Sequence, residues 1–100
     1  MVKSKMGELI AAVCTRPGMY VGEKRFHTVA VFLEGYLWGL PPDSAEAKEF
    51  DAFTDWLKAK LNCPKSKIWY GCLEVAFAEE DALKEFPRLY DEFLATFSND

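Results

Sequence analysis

Apolar residues recur every three or four positions along most of the chain, which is the spacing of one face of an α-helix. The first stripe predicts an amphipathic helix over residues 4–15, and the second predicts a helix over residues 26–40. A third follows a double proline and predicts a helix over residues 43–62. Asp43 and Glu46 have the spacing of a capping box at its start.

Two later segments are less regular. Residues 68–77 combine side chains that favour a strand with one apolar helical face. We predict a helix capped by Ser66, because a lone strand would leave its backbone unpaired. Residues 83–97 carry one apolar helical face, and Pro87 lies inside this segment. The sequence is therefore compatible with one kinked helix or with two successive helices. The pattern predicts an all-α fold: one domain, residues 1–100, with four to five packed helices.

The run RPGMYVG, residues 16–22, separates the first two predicted helices. Proline disfavours helical geometry at Arg16, and Gly18 can supply a positive φ where a turn needs one. We therefore expect a structural corner that Gly22 closes, and not a ligand-binding loop. The Arg16 guanidinium could clamp an anion, but at a helix end we expect it to bond the last carbonyl groups.

Composition indicates a folded protein outside the membrane. Half of the residues are hydrophobic and 15% are aromatic, which is typical of a globular domain and not of a disordered tail. No segment approaches the ~18 consecutive apolar residues of a membrane span. Charges within the first ten residues speak against a signal peptide. We expect a cytoplasmic protein.

Candidate chemistry is sparse. Cys14, Cys63 and Cys72 show no Cys-x-x-Cys spacing, and we expect all three to be reduced thiols. His27 is the only histidine, too few to complete a metal site or to serve each cysteine as a base. We expect His27 to be a surface histidine. The sequence predicts no catalytic residue, no metal, no cofactor and no enzyme.

Charge is unevenly distributed around a formal net charge of −4. Acidic residues concentrate in 43–57 and 74–100, on either side of a basic run over 58–67. An acidic surface repels the phosphates of nucleic acids and membranes and favours a basic protein partner. Acidity that serves solubility alone is the alternative interpretation.

Trp38 lies off the main apolar stripe of the second helix, and an exposed tryptophan is a strong anchor for a partner. The aromatic residues in general are expected in the core. The predicted partner-binding residues are Trp38, Asp43, Glu46, Glu49, Asp51, Asp55, Glu79, Glu80, Asp81 and Glu85.

Three runs, RPGMYVG, RFHTVAVFLEGYLWGL and FDAFTDWLKAKL, carry a resemblance to a known group of proteins. They resemble a family of small bacterial proteins that is similar to the immunity proteins of polymorphic toxin systems, including contact-dependent growth inhibition. The resemblance covers residues 8–97. It implies a small cytosolic protein that binds a toxin, for example a nuclease, and blocks its active site. A regulatory or structural module with a non-toxin partner is the alternative.

The run RPGMYVG also resembles a run at the start of the ATPase domain of DNA gyrase. In that fold the following helix carries a glutamate and an asparagine for water activation and magnesium. Here the helix has Glu34 but no asparagine near it, and the glycine-rich lid is missing. A chain of 100 residues is too short for that nucleotide-binding fold. We do not expect ATPase activity.

Overall fold

The computed structural model describes residues 4–97, which form six α-helices and no β-strand. The helices are α1 (Lys5–Thr15), α2 (Pro17–Val21), α3 (Phe26–Trp38), α4 (Ala45–Lys60), α5 (Trp69–Ala76) and α6 (Glu79–Phe97). The all-α prediction is confirmed. One helix more than expected is present, because the corner between α1 and α3 contains the short helix α2.

Serine side chains begin two of the helices. The Ser4 hydroxyl accepts a hydrogen bond from the backbone N–H of Gly7 at 3.0 Å, as expected for the start of α1. At α4 the cap is Ser44, whose hydroxyl accepts from the N–H of Ala47 at 3.2 Å. The prediction of Asp43 as the cap was wrong by one residue, so the Asp43 carboxylate is free for other contacts.

Residues 69–76 form a helix within the predicted segment 68–77, but α5 begins later than expected. Ile68 is its N-cap and makes no side-chain capping bond, and Ser66 lies in the preceding turn. The prediction of Ser66 as the cap was therefore wrong. The start of α5 is fixed instead by the burial of Trp69 and Leu73, which lie on its inner face.

The corner between α1 and α3 has its positive φ at an unexpected place. Pro17 occupies the first position of α2, where a missing N–H costs little. Gly18 lies inside α2, and Gly22 is the residue with a left-handed conformation, at φ +81°. The expectation that Gly18 supplies the turn geometry is therefore corrected: Gly22 is the residue that reverses the chain.

The apolar face of α6 is the surface on which the other long helices pack. The Phe86 ring lies 6.0 Å from Phe26 of α3, 5.9 Å from Phe53 of α4 and 5.1 Å from Trp69 of α5. Pro87 lies within α6 without ending it, which selects the single helix over two successive helices. Burial of this face on both sides of Pro87 outweighs the lost backbone hydrogen bond.

Cys63 and Cys72 form a disulfide, with their Cα atoms 6.0 Å apart. The expectation of three reduced thiols is thus wrong for this pair, and Cys14 is a free, buried cysteine. The disulfide joins the turn after α4 to α5. Spacing along the chain could not reveal it, because the two cysteines meet only when α5 folds back towards the end of α4.

We predict that Gly22→Ala lowers the free energy of unfolding by about 1–2 kcal/mol, because a Cβ atom is disfavoured in the left-handed conformation. The matched control is Gly18→Ala, where an added Cβ meets nothing within 4 Å and the backbone is helical. That change should leave stability equal or slightly higher. Urea unfolding of both variants measures the difference, and equal losses would contradict this description of the corner.

We also predict that Cys63→Ser lowers stability by about 2–3 kcal/mol under oxidising conditions, since the closed loop restricts the unfolded chain. The two cysteines are nine residues apart, which sets the size of that loop. A thiol reductant should lower the melting temperature of the parent protein and leave that of the variant unchanged. A parent protein whose melting temperature is insensitive to the reductant would count against the disulfide.

Candidate functional site

The outer side of α3 is apolar and open to solvent. Val31, Phe32 and Tyr36 are exposed, and Trp38 at the end of the helix keeps 84% of its surface accessible. The exposure of Trp38 agrees with its position off the predicted core stripe. Tyr36 falls on that stripe and is exposed as well. Exposed apolar side chains grouped on one helix in this way mark the patch as a candidate partner surface.

The short helix α2 extends this patch. Met19 is 73% exposed, and the ring of Tyr20 lies 6.5 Å from that of Phe32. We call the combined surface the α3 face; it consists of Met19, Tyr20, Val31, Phe32, Tyr36 and Trp38. The corner thus turns the chain and also contributes apolar side chains to an open surface.

Arg16 lies beside this patch, and its guanidinium does not make the contact that the sequence predicted. Its side chain is exposed and makes no hydrogen bond or ion pair with residues 4–97. The contact with α1 is made by the backbone instead: the Arg16 N–H donates a hydrogen bond to the carbonyl oxygen of Ala12 at 3.1 Å. The expected contact between the guanidinium and the last carbonyl groups of α1 is therefore absent from the described part of the chain.

A groove of about 460 Å³ opens beside Trp38. It lies between the end of α3, the connection 39–44, α4 and the first residues of α5. Phe50 and Trp69 are buried and form its floor, whereas Trp38 and Ile68 are exposed and stand at its edges. We call this feature the Trp38 groove. Its volume is within the range of about 300–1,000 Å³ that is usual for ligand pockets.

Charged side chains line the Trp38 groove at three positions. One oxygen of the Glu34 carboxylate accepts a hydrogen bond from the indole N–H of Trp69 at 2.6 Å. Asp51 is exposed and its carboxylate has no partner among the described residues. The Lys58 ammonium donates to the backbone carbonyl of Lys65 at 3.0 Å. The groove therefore combines apolar walls with two carboxylates and one lysine that is already engaged.

The acidic candidates around the start of α4 differ in whether their carboxylates already have a hydrogen-bond partner. Glu46 accepts a hydrogen bond from the Tyr36 hydroxyl at 2.8 Å, and this contact raises the pKa of Tyr36. Asp43, Asp51 and Asp55 are exposed and have no side-chain partner within residues 4–97. These three carboxylates lie next to the Trp38 groove or on the same helix, so they can face a partner.

Glu49 has a different role, because it is bonded inside the fold. Its Oε1 atom accepts hydrogen bonds from Ser4 at 2.6 Å and from the Tyr90 hydroxyl at 2.6 Å. Tyr90 is almost fully buried, and this burial together with the bond to Glu49 raises the pKa of Tyr90. One carboxylate thus links the start of α1, α4 and α6. Sequence reasoning could not separate Glu49 from its exposed neighbours, since all lie in one acidic run.

The second acidic block is partly neutralised by arginines. Glu79 pairs with Arg25 at 3.3 Å. Glu85 accepts two hydrogen bonds from Arg88, at 2.8 and 2.6 Å, and this contact lowers the pKa of Glu85. Both pairs are exposed to solvent, so they contribute little to stability. They do reduce the negative charge that this block offers to a partner.

The two acidic blocks do not form one surface. Glu80 and Asp81 are exposed without partners in the first turn of α6. The start of α6 lies at the start of α3, where Glu79 pairs with Arg25. Trp38 is at the opposite end of α3, about 18 Å away, given a rise of about 1.5 Å per residue. Only the first block adjoins Trp38.

The groups with potential for chemistry lie apart from this surface. Burial raises the pKa of the Cys14 thiol to about 12, so little reactive thiolate forms near neutral pH. His27 is exposed, with its Nδ1 atom 3.2 Å from Glu74 and its ring edge against Tyr70. Sequence reasoning did not identify Glu74 as its partner, because α5 brings that carboxylate from a distant segment.

Within residues 4–97, no cluster of three or more histidine, cysteine, aspartate or glutamate side chains is arranged to hold a metal ion. None of the described helices has the length and apolar character required to cross a membrane.

Comparison of the chain with protein-family models, curated proteins and solved structures gave no match.

We predict that Glu49→Ala lowers the free energy of unfolding by about 1–3 kcal/mol, because it leaves the buried Tyr90 hydroxyl without its acceptor. Asp51→Ala, two positions along the same helix, removes an exposed carboxylate and should change stability by less than about 0.5 kcal/mol. Urea unfolding at neutral pH compares the two. If both variants lose the same stability, the assignment of Glu49 to the fold and Asp51 to the surface is wrong.

Proposed function

We propose that the protein is an inhibitory binding protein that docks its α3 face on a basic protein partner. The observation that carries this proposal is the exposed Trp38 at the edge of a groove that the unpaired Asp51 also lines. The resemblance to immunity proteins suggests that the partner is a toxin domain. In this proposal the protein binds its partner and does not catalyse a reaction.

The apolar part of the surface would provide most of the affinity. Tryptophan and tyrosine are the residues in which interface energy is concentrated, and the α3 face exposes Tyr20, Tyr36 and Trp38. Trp38 has the greatest exposed fraction of these three aromatic residues, so it has the most surface to bury. The apolar patch borders unpaired acids, and a polar border around an apolar centre is the usual composition of a protein interface.

The acidic part would act mainly on the rate of association. Asp43, Asp51 and Asp55 are free to attract a basic surface over a distance, and such attraction raises association rates more than final affinity. On a nuclease these carboxylates would occupy the positions of substrate phosphates and obstruct the active site. The block at the start of α6 would contribute less, because it lies away from Trp38 and two of its acids are paired with arginines.

A cytoplasmic site of action is part of this proposal, since a toxin has to be blocked where its target lies. Reducing conditions there disfavour disulfides, so Cys63 and Cys72 would be held largely as thiols in that compartment. Neither cysteine lines the Trp38 groove, and the α3 face lies on other helices. Docking would therefore not depend on the disulfide.

We predict that the protein neutralises a toxin domain encoded beside its own gene, and that Trp38→Ala weakens this complex at least about thirtyfold, the loss typical of a central interface tryptophan. Coexpression should restore growth to cells that produce the toxin, and Trp38→Ala should fail to do so at equal protein levels. Binding of the purified proteins measures the affinity. An unchanged affinity for Trp38→Ala would contradict this docking mode.

The electrostatic part has its own matched control. Reversal of charge in Asp51→Lys with Asp55→Lys should slow association, and the parent rate should fall with rising ionic strength. Reversal of Glu80 and Asp81 removes the same charge at the start of α6 and should have a smaller effect. If the α6 reversal slows association more than the α4 reversal, the partner binds the other acidic block.

A further inference from the structure

The Trp38 groove has a composition that suits one kind of occupant. Its floor and edges are apolar, so an occupant must bring an aliphatic or aromatic portion. Glu34 and Asp51 place two carboxylates in the lining, so the occupant must also carry positive charge or hydrogen-bond donors. An anion would be repelled, and a wholly apolar group would remove water from both carboxylates without replacing its hydrogen bonds.

Glu34 is held in place for such a contact. Its Oε1 atom is fixed by the indole N–H of Trp69 at 2.6 Å, and Trp69 is buried. The second oxygen, Oε2, has no hydrogen-bond partner among the described residues. A carboxylate that is oriented by one bond and open at its other oxygen can accept from a ligand with little further loss of side-chain freedom.

The lysine in the groove reduces this preference but does not reverse it, because two carboxylates and one ammonium group leave the lining with a net negative charge. Lys58 directs its ammonium to the carbonyl oxygen of Lys65, at 3.0 Å. Asp55, one turn before it on the outer side of α4, lies with Lys58 beside the adjoining turn. The carboxylates of Glu34 and Asp51 remain in the groove without an ion-pair partner among residues 4–97.

Trp38 narrows the choice of cation. The residue is 84% exposed at the edge of the groove, so a face of its indole ring is available for stacking. A guanidinium group is planar, stacks on aromatic rings and donates in a fork that matches carboxylate oxygens. The ammonium group of lysine provides a point charge without that planar geometry. Arginine also carries an aliphatic stem that can lie along Ile68.

We propose that the Trp38 groove is a binding subsite for an arginine side chain of the protein partner. The guanidinium lies against the Trp38 indole and donates to Glu34 Oε2 and to Asp51, and its stem covers Ile68. The subsite deepens the proposed function and rests on it for the identity of the partner. Recognition of the guanidinium itself is a property of this chain alone.

The test uses small probes in place of the partner. N-acetyl-arginine amide is titrated into the isotope-labelled protein, and the indole N–H signals of its three tryptophans are followed by NMR. We expect saturable shifts for Trp38 and Trp69 and none for Trp56, which lies outside the groove lining. N-acetyl-citrulline amide has the same shape without the charge and should bind at least about tenfold more weakly.

Variants of the two carboxylates identify the contacts. Glu34→Gln retains an acceptor for the Trp69 indole, and Asp51→Asn is likewise isosteric. Each should weaken arginine binding by roughly three- to tenfold through loss of a charge-assisted hydrogen bond. Asp81→Asn makes the same charge change at the start of α6 and should leave binding unchanged. Equal effects of Asp81→Asn and Asp51→Asn would reduce the interaction to general electrostatics and overturn the subsite.

Other outcomes separate this inference from the proposed function. Linear, unsaturated shifts, or equal binding of the arginine and citrulline probes, would overturn the subsite. If the partner complex forms with unchanged affinity in Glu34→Gln and Asp51→Asn, the subsite is wrong and the proposed function stands. If the arginine probe binds as expected but no toxin is neutralised, the subsite stands and the proposed function fails.

Discussion

The fold depends on the burial of one face of α6. The side chains of that face reach the other four long helices: Phe86 contacts α3, α4 and α5, and Leu94 and Tyr90 lie against Gly7 of α1. A Cβ atom at Gly7 would come within 3.2 Å of Leu94 Cδ1, a tight contact, so the close approach of α1 to α6 favours glycine there. This shared face also keeps α6 continuous through Pro87, despite the cost of about 3 kcal/mol that proline brings to a helix interior.

Because α6 covers only the inner side of α3, the outer side of α3 remains open. Phe26, Val29 and Leu33 are buried on the inner side, whereas Phe32 and Trp38 are exposed on the outer side. A helix that is apolar on both sides is usually enclosed by the protein or by a partner. The described helices leave the outer side uncovered, and this is the physical reason to look for a partner there.

The acidic residues divide into structural and free groups by their position relative to α6. Glu49 faces α6 and is bonded to Tyr90, whereas Asp51 and Asp55 point away and are unpaired within residues 4–97. Charge patterning alone indicated two acidic blocks on either side of a basic run and treated the acids of each block alike. The packing separates these blocks and leaves a smaller, free group beside Trp38. The proposed interface is therefore narrower than the sequence suggested.

Much of the fold could be predicted from the sequence, because burial of an apolar stripe fixes the period of each helix and its approximate position. The stripes located α1, α3, α4 and α6, and the exposure of Trp38 followed from its place off the stripe. The rest depends on contacts between distant segments. The Cys63–Cys72 bond is one of these, and so is the pairing of His27 with Glu74. The preferences for N-cap residues also do not distinguish Asp43 from its neighbour Ser44, because aspartate and serine cap helices about equally well.

Hydroxyl-radical footprinting of the protein, free and bound to its partner, tests most directly whether the α3 face is the docking surface. The face carries Met19, Tyr20, Tyr36 and Trp38, whose side chains are exposed and oxidise readily. The account predicts that oxidation of Trp38 and Met19 falls severalfold in the complex, while that of half-buried Trp56 stays the same. Equal oxidation of Trp38 in the free and bound protein would show that the partner binds elsewhere.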